Sequence, residues 1–374
     1  MADEAPNAWL ADGLREMLRL GGTDLHLAPD SPPRIRVHGR LQPLTEHPLT
    51  AAETRDAVYS ILHEARRQRF ERERDLHCTF EVPGLARFRA SLFHERGAVG
   101  AVFRAIPLTI PSLDALALPP AVRAFCDARR GLVLVAGPSG SGKSTTLASM
   151  VDAINADRAL HIITLEDPIE HVHVNRASMI RQREIDVDTV SYVRGLRAAL
   201  MEDADVVVVS DIADTDTADM VLRVAETGHL VLAALSATSA IDAVNRVLDL
   251  FPAAQQGQAR SRLAMTLVGV LSQVLIGRAD GSGKVAAADL IVPTPAVRNL
   301  VREDKIHQIY SLMQTGQKRS GMQTFNQSLC DLCRANLVDG DAALAVSPVP
   351  DELREMLMRA PGEIAPTLGP RPRA

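Results

Sequence analysis

The sequence predicts an α/β protein of two domains, in which a small α+β domain precedes a larger domain with a mostly parallel sheet. Residues 131–147 read as a strand, a glycine-rich loop and a helix. From about residue 119 onward, short apolar runs alternate with helical patterns, which is typical of a parallel sheet covered by helices. Residues 1–106 instead combine helical segments with strands in which apolar and polar residues alternate.

The glycine-rich loop matches the phosphate-binding pattern G-x-x-x-x-G-K-[ST]. Its strand and helix context argues against a chance glycine turn. Glycines let successive backbone N–H groups point inward, and the following helix adds its N-terminal donors and the positive end of its dipole. Lys143 is expected to reach the β- and γ-phosphates, and Ser144 to ligate Mg²⁺. The residues predicted to bind a nucleoside triphosphate are Gly137, Pro138, Ser139, Gly140, Ser141, Gly142, Lys143, Ser144 and Thr145.

Composition narrows the class of protein. A chain of 374 residues is long enough for two domains, and 46% hydrophobic with 23% charged residues is ordinary for a globular protein. The net charge of -5 and the aromatic content of 3% argue against nucleic-acid binding. No apolar run reaches the ~18 residues of a membrane span, and the acidic N-terminus lacks a signal-peptide core. We therefore expect a cytoplasmic protein.

The first domain is predicted from helical and alternating patterns over about a hundred residues. Thr50 and Glu53 form a capping box at the start of the second helix. Arg66 to Arg74 mixes both charge signs and is interpreted as a solvated helix end. The predicted elements are helices at 5–20 and 50–70 and strands at 23–27, 35–38, 77–82, 86–94 and 99–105.

Arginines on the later strands of this domain have two interpretations. Arg87, Arg89 and Arg104 could be charges on an edge strand, which protect it from pairing with other chains. Alternatively, they could contact phosphates across a subunit interface. The residues alone favour the first interpretation.

Residues 107–120 contain four prolines and no glycine, which predicts a semi-rigid linker. Beyond it, two apolar strands end in acidic residues, Glu166 and Asp211. Acids at the carboxyl ends of strands near a phosphate loop are candidates for holding Mg²⁺ and the attacking water. The other predictions are strands at 229–235 and 284–292 and helices at 122–129, 189–202, 213–226, 241–250 and 255–276, with helical structure from 295 to 338.

Four cysteines are present, at Cys78, Cys126, Cys330 and Cys333. Cys330 and Cys333 have the spacing of half a zinc site, but no second pair follows. Three residues apart on a helix, they share one face, so a buried pair is the favoured interpretation. We expect reduced thiols with neither a disulfide nor a metal cluster.

Several stretches resemble one known family. They include DLHLAPDSPPRIRVHGRL, GLARFRASLFHERG, HIITLEDPIEHVH, ALMEDADVVVVSDIAD and RVAETGHLVLAALSATSA, together with the phosphate loop and VAAADLIVPTPAVRNLVREDK. From about residue 20 to 338, the chain resembles the PilT/PilU-type twitching-motility ATPases, which retract type IV pili and belong to the secretion ATPase superfamily.

This resemblance implies a PAS-like α+β domain followed by a RecA-like P-loop ATPase domain. It also implies a homo-hexameric ring with Mg²⁺-ATP at subunit interfaces, where Arg87, Arg89 and Arg104 approach the phosphates. The implied partner is the inner-membrane pilus platform protein, at the cytoplasmic face of the membrane. The boundaries that we predict are 1–106 for the PAS-like domain, 107–118 for the linker, 119–345 for the ATPase domain and 346–374 for a partly disordered tail.

Three positions near the expected reaction centre depart from the family pattern. The family has Gly-Glu-Met-Arg-Asp where this chain has SDIAD at 210–214, so a glutamate is replaced by Asp211 and an arginine by Ala213. In the family's histidine motif, Ser236 replaces one histidine and His229 remains. The resemblance implies catalytic roles for Glu166, Asp211 and His229, with Asp211 also near the metal.

The function predicted from these observations is a retraction motor subunit that binds ATP and hydrolyses it slowly. A shift of about 1 Å in catalytic geometry can cost on the order of a hundredfold in rate, and aspartate is one methylene shorter than glutamate. The alternatives are a non-hydrolysing regulatory or scaffold subunit that works with an active paralogous retraction ATPase, and an assembly ATPase for pili or secretion.

Overall fold

The computed structural model describes residues 6–37, 39–106 and 109–359, and it divides into two compact units. The first, here the N-terminal unit, comprises Met1–Ile110, Ile163–Arg176 and Ile180–Gly195. The second, here the C-terminal unit, comprises Pro111–Ile162, Ala177–Met179 and Leu196–Ala374. Both units contain strands and helices, which confirms the α/β class. The domain boundaries expected from the sequence stay a prediction.

Strands and helices up to residue 106 build an antiparallel sheet with helical cover. The elements are α1 (Ala8–Arg19), β1 (Gly22–Leu27), β2 (Arg34–Val37), β3 (Arg40–Pro43), α2 (Ala51–Tyr59), α3 (Glu64–Glu73), β4 (Asp75–Val82), β5 (Ala86–Glu95) and β6 (Ala98–Ile106). Within the described residues they form a six-stranded sheet of order β3-β2-β1-β6-β5-β4, with every neighbouring pair antiparallel.

Aromatic side chains from three elements form the centre of this unit's core. Phe80 lies 5.7 Å from Phe88 and 5.8 Å from Phe103 between ring centroids, the first pair stacked and the second edge to face. All three are fully buried, as is Leu14 of α1. Helix α1 and sheet strands therefore share one apolar core.

Two details of this unit differ from the sequence-based expectation. The helix predicted at 50–70 is two helices, because the chain leaves the helical path between α2 and α3. The expected capping box is confirmed: the Thr50 side chain accepts from Glu53 N and the Glu53 side chain from Thr50 N. Arg66, expected in a solvated helix end, is buried, and its Nη2 lies 2.6 Å from Glu184 Oε1.

The remaining elements follow in chain order. They are η1 (Asp114–Leu116), α4 (Ala121–Cys126), β7 (Gly131–Ala136), α5 (Lys143–Asp157), β8 (His161–Glu166), β9 (Met179–Glu184), α6 (Tyr192–Ala199), β10 (Val206–Val209), α7 (Thr215–Glu226), β11 (Leu230–Leu235), α8 (Ala240–Asp249), α9 (Ala253–Thr266), β12 (Leu267–Gly277), β13 (Lys284–Ile291), α10 (Pro295–Arg302), η2 (Ile306–Gln308), α11 (Ile309–Ser320), α12 (Phe325–Arg334), α13 (Gly340–Val346) and α14 (Pro350–Met358).

A second sheet has the strand order β13-β12-β7-β11-β10-β8-β9 in the described part of the chain. Strands β12, β7, β11 and β10 run parallel, and β13 is antiparallel to β12. Every residue of β7, β10 and β11 is buried, as expected for central strands covered on both faces. The prediction of a largely parallel sheet is confirmed.

The helix predicted at 255–276 is wrong in its second half. Residues 253–266 form α9, but residues 267–277 form β12, which pairs with both β7 and β13. A buried apolar run cannot be assigned to strand or helix by periodicity alone. Pairing with β7 decides the conformation, and it brings β12 to the phosphate loop.

The segment predicted as a tail from residue 346 begins with ordered structure. Helix α14 packs beside α12, and its Leu353 is fully buried. Tyr310, Gln314 and Asn326 each donate a hydrogen bond to Glu352 of α14. The rest of the predicted tail, from residue 360, lies outside the described residues, as do Pro107 and Leu108 of the predicted linker.

The buried ion pair of the N-terminal unit gives a test of the fold. The side chains of Arg66 and Glu184 are 10% and 11% exposed, and Glu184 also accepts from Ile169 N at 3.2 Å. Arg66→Ala leaves a buried carboxylate without its cation, so we expect the free energy of unfolding to fall by about 3 kcal/mol in urea titration. Arg72→Ala, on the same helix in an exposed pair with Glu73, should cost about 0.5 kcal/mol. Equal losses would show that the buried pair has no special role.

Candidate functional site

The loop between β7 and α5 has the backbone that a phosphate-binding loop requires. Gly137, Gly140 and Gly142 have φ values of 148°, 76° and 90°, a region that side chains with a Cβ rarely adopt. A Cβ on Gly137 would lie 2.4 Å from Gln273 O and from Ser141 Oγ. Glycine is therefore required at 137 for both conformation and space.

Lys143 is the first residue of α5 and turns back over the loop. Its Nζ donates to Gly137 O at 2.9 Å and to Pro138 O at 3.0 Å. Both acceptors are neutral carbonyls, and a phosphate oxygen is a stronger acceptor for an ammonium group. The side chain is thus placed at the loop that would hold the phosphates.

The first turn of α5 supplies further donors. Gly142 is the N-cap, and Thr146 N donates to Gly142 O, so the N–H groups of Lys143, Ser144 and Thr145 precede the first intrahelical bond. Ser144 is exposed at the second helical position. In phosphate loops, the hydroxyl of a serine or threonine at this position ligates Mg²⁺, and Ser144 fits that role. Elsewhere among the described residues, no group of three or more His, Cys, Asp or Glu could hold a metal ion.

The strand register places Asp211 and Ser236, two of the residues that depart from the family pattern, at the same edge of the sheet as this loop. Leu235 pairs with Ala136 and Val209 with Ala233, so the chain after β10, β11 and β7 emerges at a similar level. Asp211 and Ser236 therefore lie at the carboxyl edge of the parallel sheet with Gly137. Since β11 separates β10 from β7, Asp211 stands two strands, about 10 Å, from the loop.

The segment after β10 is held by neighbouring backbone. Ile212 is buried and its N donates to Ala234 O at 3.1 Å, which fixes the main chain directly beyond the half-buried Asp211. Asp214 is the N-cap of α7 and accepts from Thr217 N at 2.7 Å. Ala213 is exposed and presents no polar side chain.

His229 lies at the opposite edge of the sheet. Its carbonyl accepts from the N of Gly131, the first residue of β7, and its Nδ1 is 3.1 Å from Thr227 Oγ1. The length of β7, about 20 Å, separates this edge from Gly137. Within one chain, the structure does not bring His229 together with the phosphate loop, so its predicted catalytic role has no geometric support there.

Glu166 ends β8, and its side chain is half-buried. Its Oε1 accepts from Thr164 Oγ1 at 2.7 Å and from Gln182 Nε2 at 2.9 Å. Burial raises its pKa, an effect that Glu170 and Glu184 reinforce and that the two hydrogen bonds oppose. A carboxyl group whose pKa is raised exchanges its proton at a higher pH than an ordinary glutamate does.

Arg87, Arg89 and Arg104 lie on one face of the N-terminal sheet. In the register of β5 and β6, Arg89 is directly opposite Arg104, and Arg87 is two residues from Arg89 on the same strand. Both strands are internal to the sheet, so the interpretation of these residues as edge-strand charges is wrong. The structure brings the three together, as the alternative interpretation requires.

Each of these arginines has an acceptor within its own unit. Arg87 Nη2 donates to Thr79 Oγ1 at 2.9 Å and to Ile169 O at 3.2 Å. Arg89 pairs with Glu170 at 2.8 Å.

Arg104 pairs with the carboxylate of Asp24 at 2.7 Å. Burial raises the pKa of Asp24, but hydrogen bonds from Thr23 and Arg104 outweigh it, and the pKa is lowered overall. Asp24 is therefore held in its charged form as the acceptor for Arg104.

Gln273 is a site residue that the sequence analysis missed. It lies on β12 and its side chain contacts the phosphate loop through Ser141 and the helix through Thr146. The available signal was the pair of polar residues Ser272 and Gln273 inside an otherwise apolar run. The incorrect helical assignment of this run concealed it.

Two of the four cysteines lie on the same helix. Cys330 is buried and Cys333 half-buried on α12, in the core of the C-terminal helices, and none of the four cysteines, all of which lie within the described residues, forms a disulfide. Burial raises the pKa of both Cys330 and Cys333.

In the ranges that the structure describes, no helix has both the length and the apolar character needed to span a bilayer.

Comparisons with known proteins agree with this geometry. The sequence is 42% identical over 331 residues to the Type IV pilus retractation ATPase PilT of Pseudomonas aeruginosa, covering 88% of this chain and 96% of that protein. It is 44% identical over 311 residues to a twitching motility protein of Neisseria gonorrhoeae, covering 83% of each.

The fold is also that of a solved relative. A crystal structure of the pilus retraction motor PilT with bound ADP superposes with a TM-score of 0.83 at 43% identity, covering 92% of this chain and 98% of that one. The fold is thus an N-terminal PAS-like domain followed by a RecA-like P-loop ATPase domain. Residues 13–367 match the family described as Type II/IV secretion system protein. The chain therefore belongs to the Type II/IV secretion system protein family, on the branch of the PilT-like pilus retraction ATPases.

Proposed function

We propose that this chain is an ATP-binding motor subunit of type IV pilus retraction, with weakened hydrolysis. The observation that carries the proposal is the loop of residues 137–142, whose positive-φ glycines lead into α5 with Lys143 and Ser144 at its first two positions. A similar protein is named as a pilus retraction motor and binds ADP. ATP is the nucleotide that this family of ATPases turns over.

In this proposal, the loop and the first turn of α5 both contact the phosphates. Backbone N–H groups of the loop and of the first turn of α5 bind phosphate oxygens, and the helix dipole favours their negative charge. Lys143 exchanges its two carbonyl acceptors for phosphate oxygens. Ser144 would hold Mg²⁺, which neutralises charge that develops during phosphoryl transfer.

Weak hydrolysis is proposed from the carboxyl edge of the sheet. The chain beyond Asp211 is fixed by the bond from Ile212 N to Ala234 O, so the shorter carboxylate has little main-chain freedom to compensate for its length. Ala213 and Ser236 lack the side chains of the family pattern. The roles assigned to Glu166, Arg87, Arg89 and Arg104 stay proposals.

We further propose a homo-hexameric ring, peripheral to the cytoplasmic face of the inner membrane and in contact with the pilus platform protein. In such a ring Arg87, Arg89 and Arg104 would reach the nucleotide of a neighbouring subunit. Each would first leave its present acceptor, at Ile169, Glu170 or Asp24. These exchanges would link arginine position to nucleotide state.

A second candidate is a regulatory subunit that binds ATP without useful hydrolysis and assembles with an active paralogue. The residues that favour it are Ala213 and Ser236, at positions where the family pattern has arginine and histidine. Asp211→Ala separates the two candidates in a twitching assay. Loss of twitching supports the motor, whereas wild-type twitching supports the regulatory subunit.

Lys143→Ala tests nucleotide binding. Removing a cation that bonds to phosphates costs about 1.5 to 3 kcal/mol, which corresponds to about 10- to 150-fold weaker binding. We expect that loss in titrations of fluorescent ADP. Lys284→Ala, at the exposed start of β13, is the matched control and should bind like the wild type. Equal affinity of Lys143→Ala and wild type would refute the proposed site.

Asp211→Glu tests the cause of weak hydrolysis. Restoring the methylene moves the carboxylate by about 1 Å, and we expect the turnover number to rise by about tenfold or more with little change in ADP affinity. Steady-state phosphate release by purified protein measures this change. Asp216→Glu, an exposed residue in the first turn of α7, is the control and should leave turnover unchanged. A wild-type rate as fast as that of the Asp211→Glu variant would contradict the proposal.

A further inference from the structure

Gln273 lies beside the phosphate loop because of the register between β12 and β7. Ser272 pairs with Ala136, the last residue of β7, so the next residue along β12 is level with Gly137. The backbone carbonyl oxygen of Gln273 is one of the two atoms that a Cβ on Gly137 would meet at 2.4 Å. Main chain of β12 therefore touches the start of the loop.

The side chain of Gln273 makes two further contacts on the same side. Its Nε2 donates to Ser141 O at 2.7 Å, and its Oε1 accepts from Thr146 Oγ1 at 2.9 Å. The three residues are 2%, 3% and 2% exposed, respectively. The buried side-chain amide of Gln273 thus hydrogen-bonds both the loop and the first turn of α5 to the sheet.

These contacts have a physical reason in the shape of the loop. A loop that points N–H groups inward at phosphates must point carbonyls outward, and a buried carbonyl without a donor costs about 1 to 3 kcal/mol. Gln273 supplies that donor to Ser141. A glutamine amide can donate and accept at once, whereas an ionised carboxylate can only accept, so glutamine can serve both Ser141 O and Thr146 Oγ1.

We propose that Gln273 is a positioning residue of the nucleotide site. It holds the Ser141 carbonyl outward and the first turn of α5 in place, so that the donors toward phosphate are preorganised before nucleotide binds. This inference rests on the proposed function, because it assigns to Gln273 the shape of the loop that binds ATP.

Gln273→Leu tests the role directly, since leucine has a similar size but neither hydrogen-bonding group. We expect at least tenfold weaker binding of fluorescent ADP to the full-length variant. Ser272→Ala is the matched control: it is the adjacent residue, it is 1% exposed, and it lies opposite Asp289 in the register of β12 and β13. We expect its affinity to stay within about twofold of wild type. Equal weakening in both variants would overturn the proposal, as would an unchanged affinity of Gln273→Leu.

A second pair of variants separates the hydrogen bond from general packing if Gln273→Leu does not fold. Thr146→Val keeps the shape of the side chain without the hydroxyl, and Thr146→Ser keeps the hydroxyl without the methyl group. We expect about fivefold weaker ADP binding for Thr146→Val and near wild-type binding for Thr146→Ser. The reverse order would show that packing, and not the bond to Gln273, controls the loop.

The outcome for the wild type distinguishes failure of this inference from failure of the proposed function. A wild-type protein that binds no ADP refutes the nucleotide site itself. A wild type that binds ADP, together with variants that bind equally well, refutes only the role of Gln273.

Discussion

The backbone conformation between Gly137 and Gly142 is the constraint on which the candidate site depends. Inward N–H groups require positive φ values that glycine alone adopts at low cost, and they require the carbonyls to find partners elsewhere. The parallel sheet provides both the position and the partners. Because β12 is paired with β7, its Gln273 reaches the carbonyl of Ser141 and the hydroxyl of Thr146. The conformation of the phosphate loop thus depends on the sheet as much as on the loop's own sequence.

The three candidate arginines each donate to an acceptor within the N-terminal unit. Arg87, Arg89 and Arg104 share a sheet face, where like charges would repel. Arg89 and Arg104 are paired with the carboxylates of Glu170 and Asp24, whereas Arg87 donates to the neutral carbonyl of Ile169. An arginine that contacts a phosphate in a neighbouring subunit would exchange one acceptor for another of higher charge. Exchange of this kind costs less than exposing an unpartnered cation in a dry interface, because the guanidinium group keeps a hydrogen-bond acceptor throughout.

Local patterns were sufficient to predict much of the fold. The phosphate loop, the capping box at Thr50 and the strands that end in Glu166 and Asp211 are signalled by residues close in sequence. What could not be predicted depends on long-range pairing. Residues 267–277 are apolar enough for either conformation, and only their pairing with β7 and β13 selects a strand. Burial of Arg66 likewise depends on Glu184, more than a hundred residues away.

The same distinction applies to the site. Lys143 and Ser144 could be placed by the motif, whereas Gln273 could not, because its role depends on the neighbouring strand. The position of His229 at the far edge of the sheet also follows only from strand direction. The motif therefore predicts where the binding loop lies, whereas the positions of the residues expected to act on the bound phosphate depend on strand order and direction.

We propose a complete phosphate-binding loop beside a carboxyl edge of the sheet that departs from the family pattern at Asp211, Ala213 and Ser236. The most direct measurement is the chemical state of the bound nucleotide: purified protein is incubated with Mg²⁺ and radiolabelled ATP, and the nucleotide retained with the protein is separated and counted over time. We expect near-stoichiometric binding in which most of the retained nucleotide is still ATP after several minutes. Rapid conversion of the retained nucleotide to ADP, or no retained nucleotide at all, would contradict it.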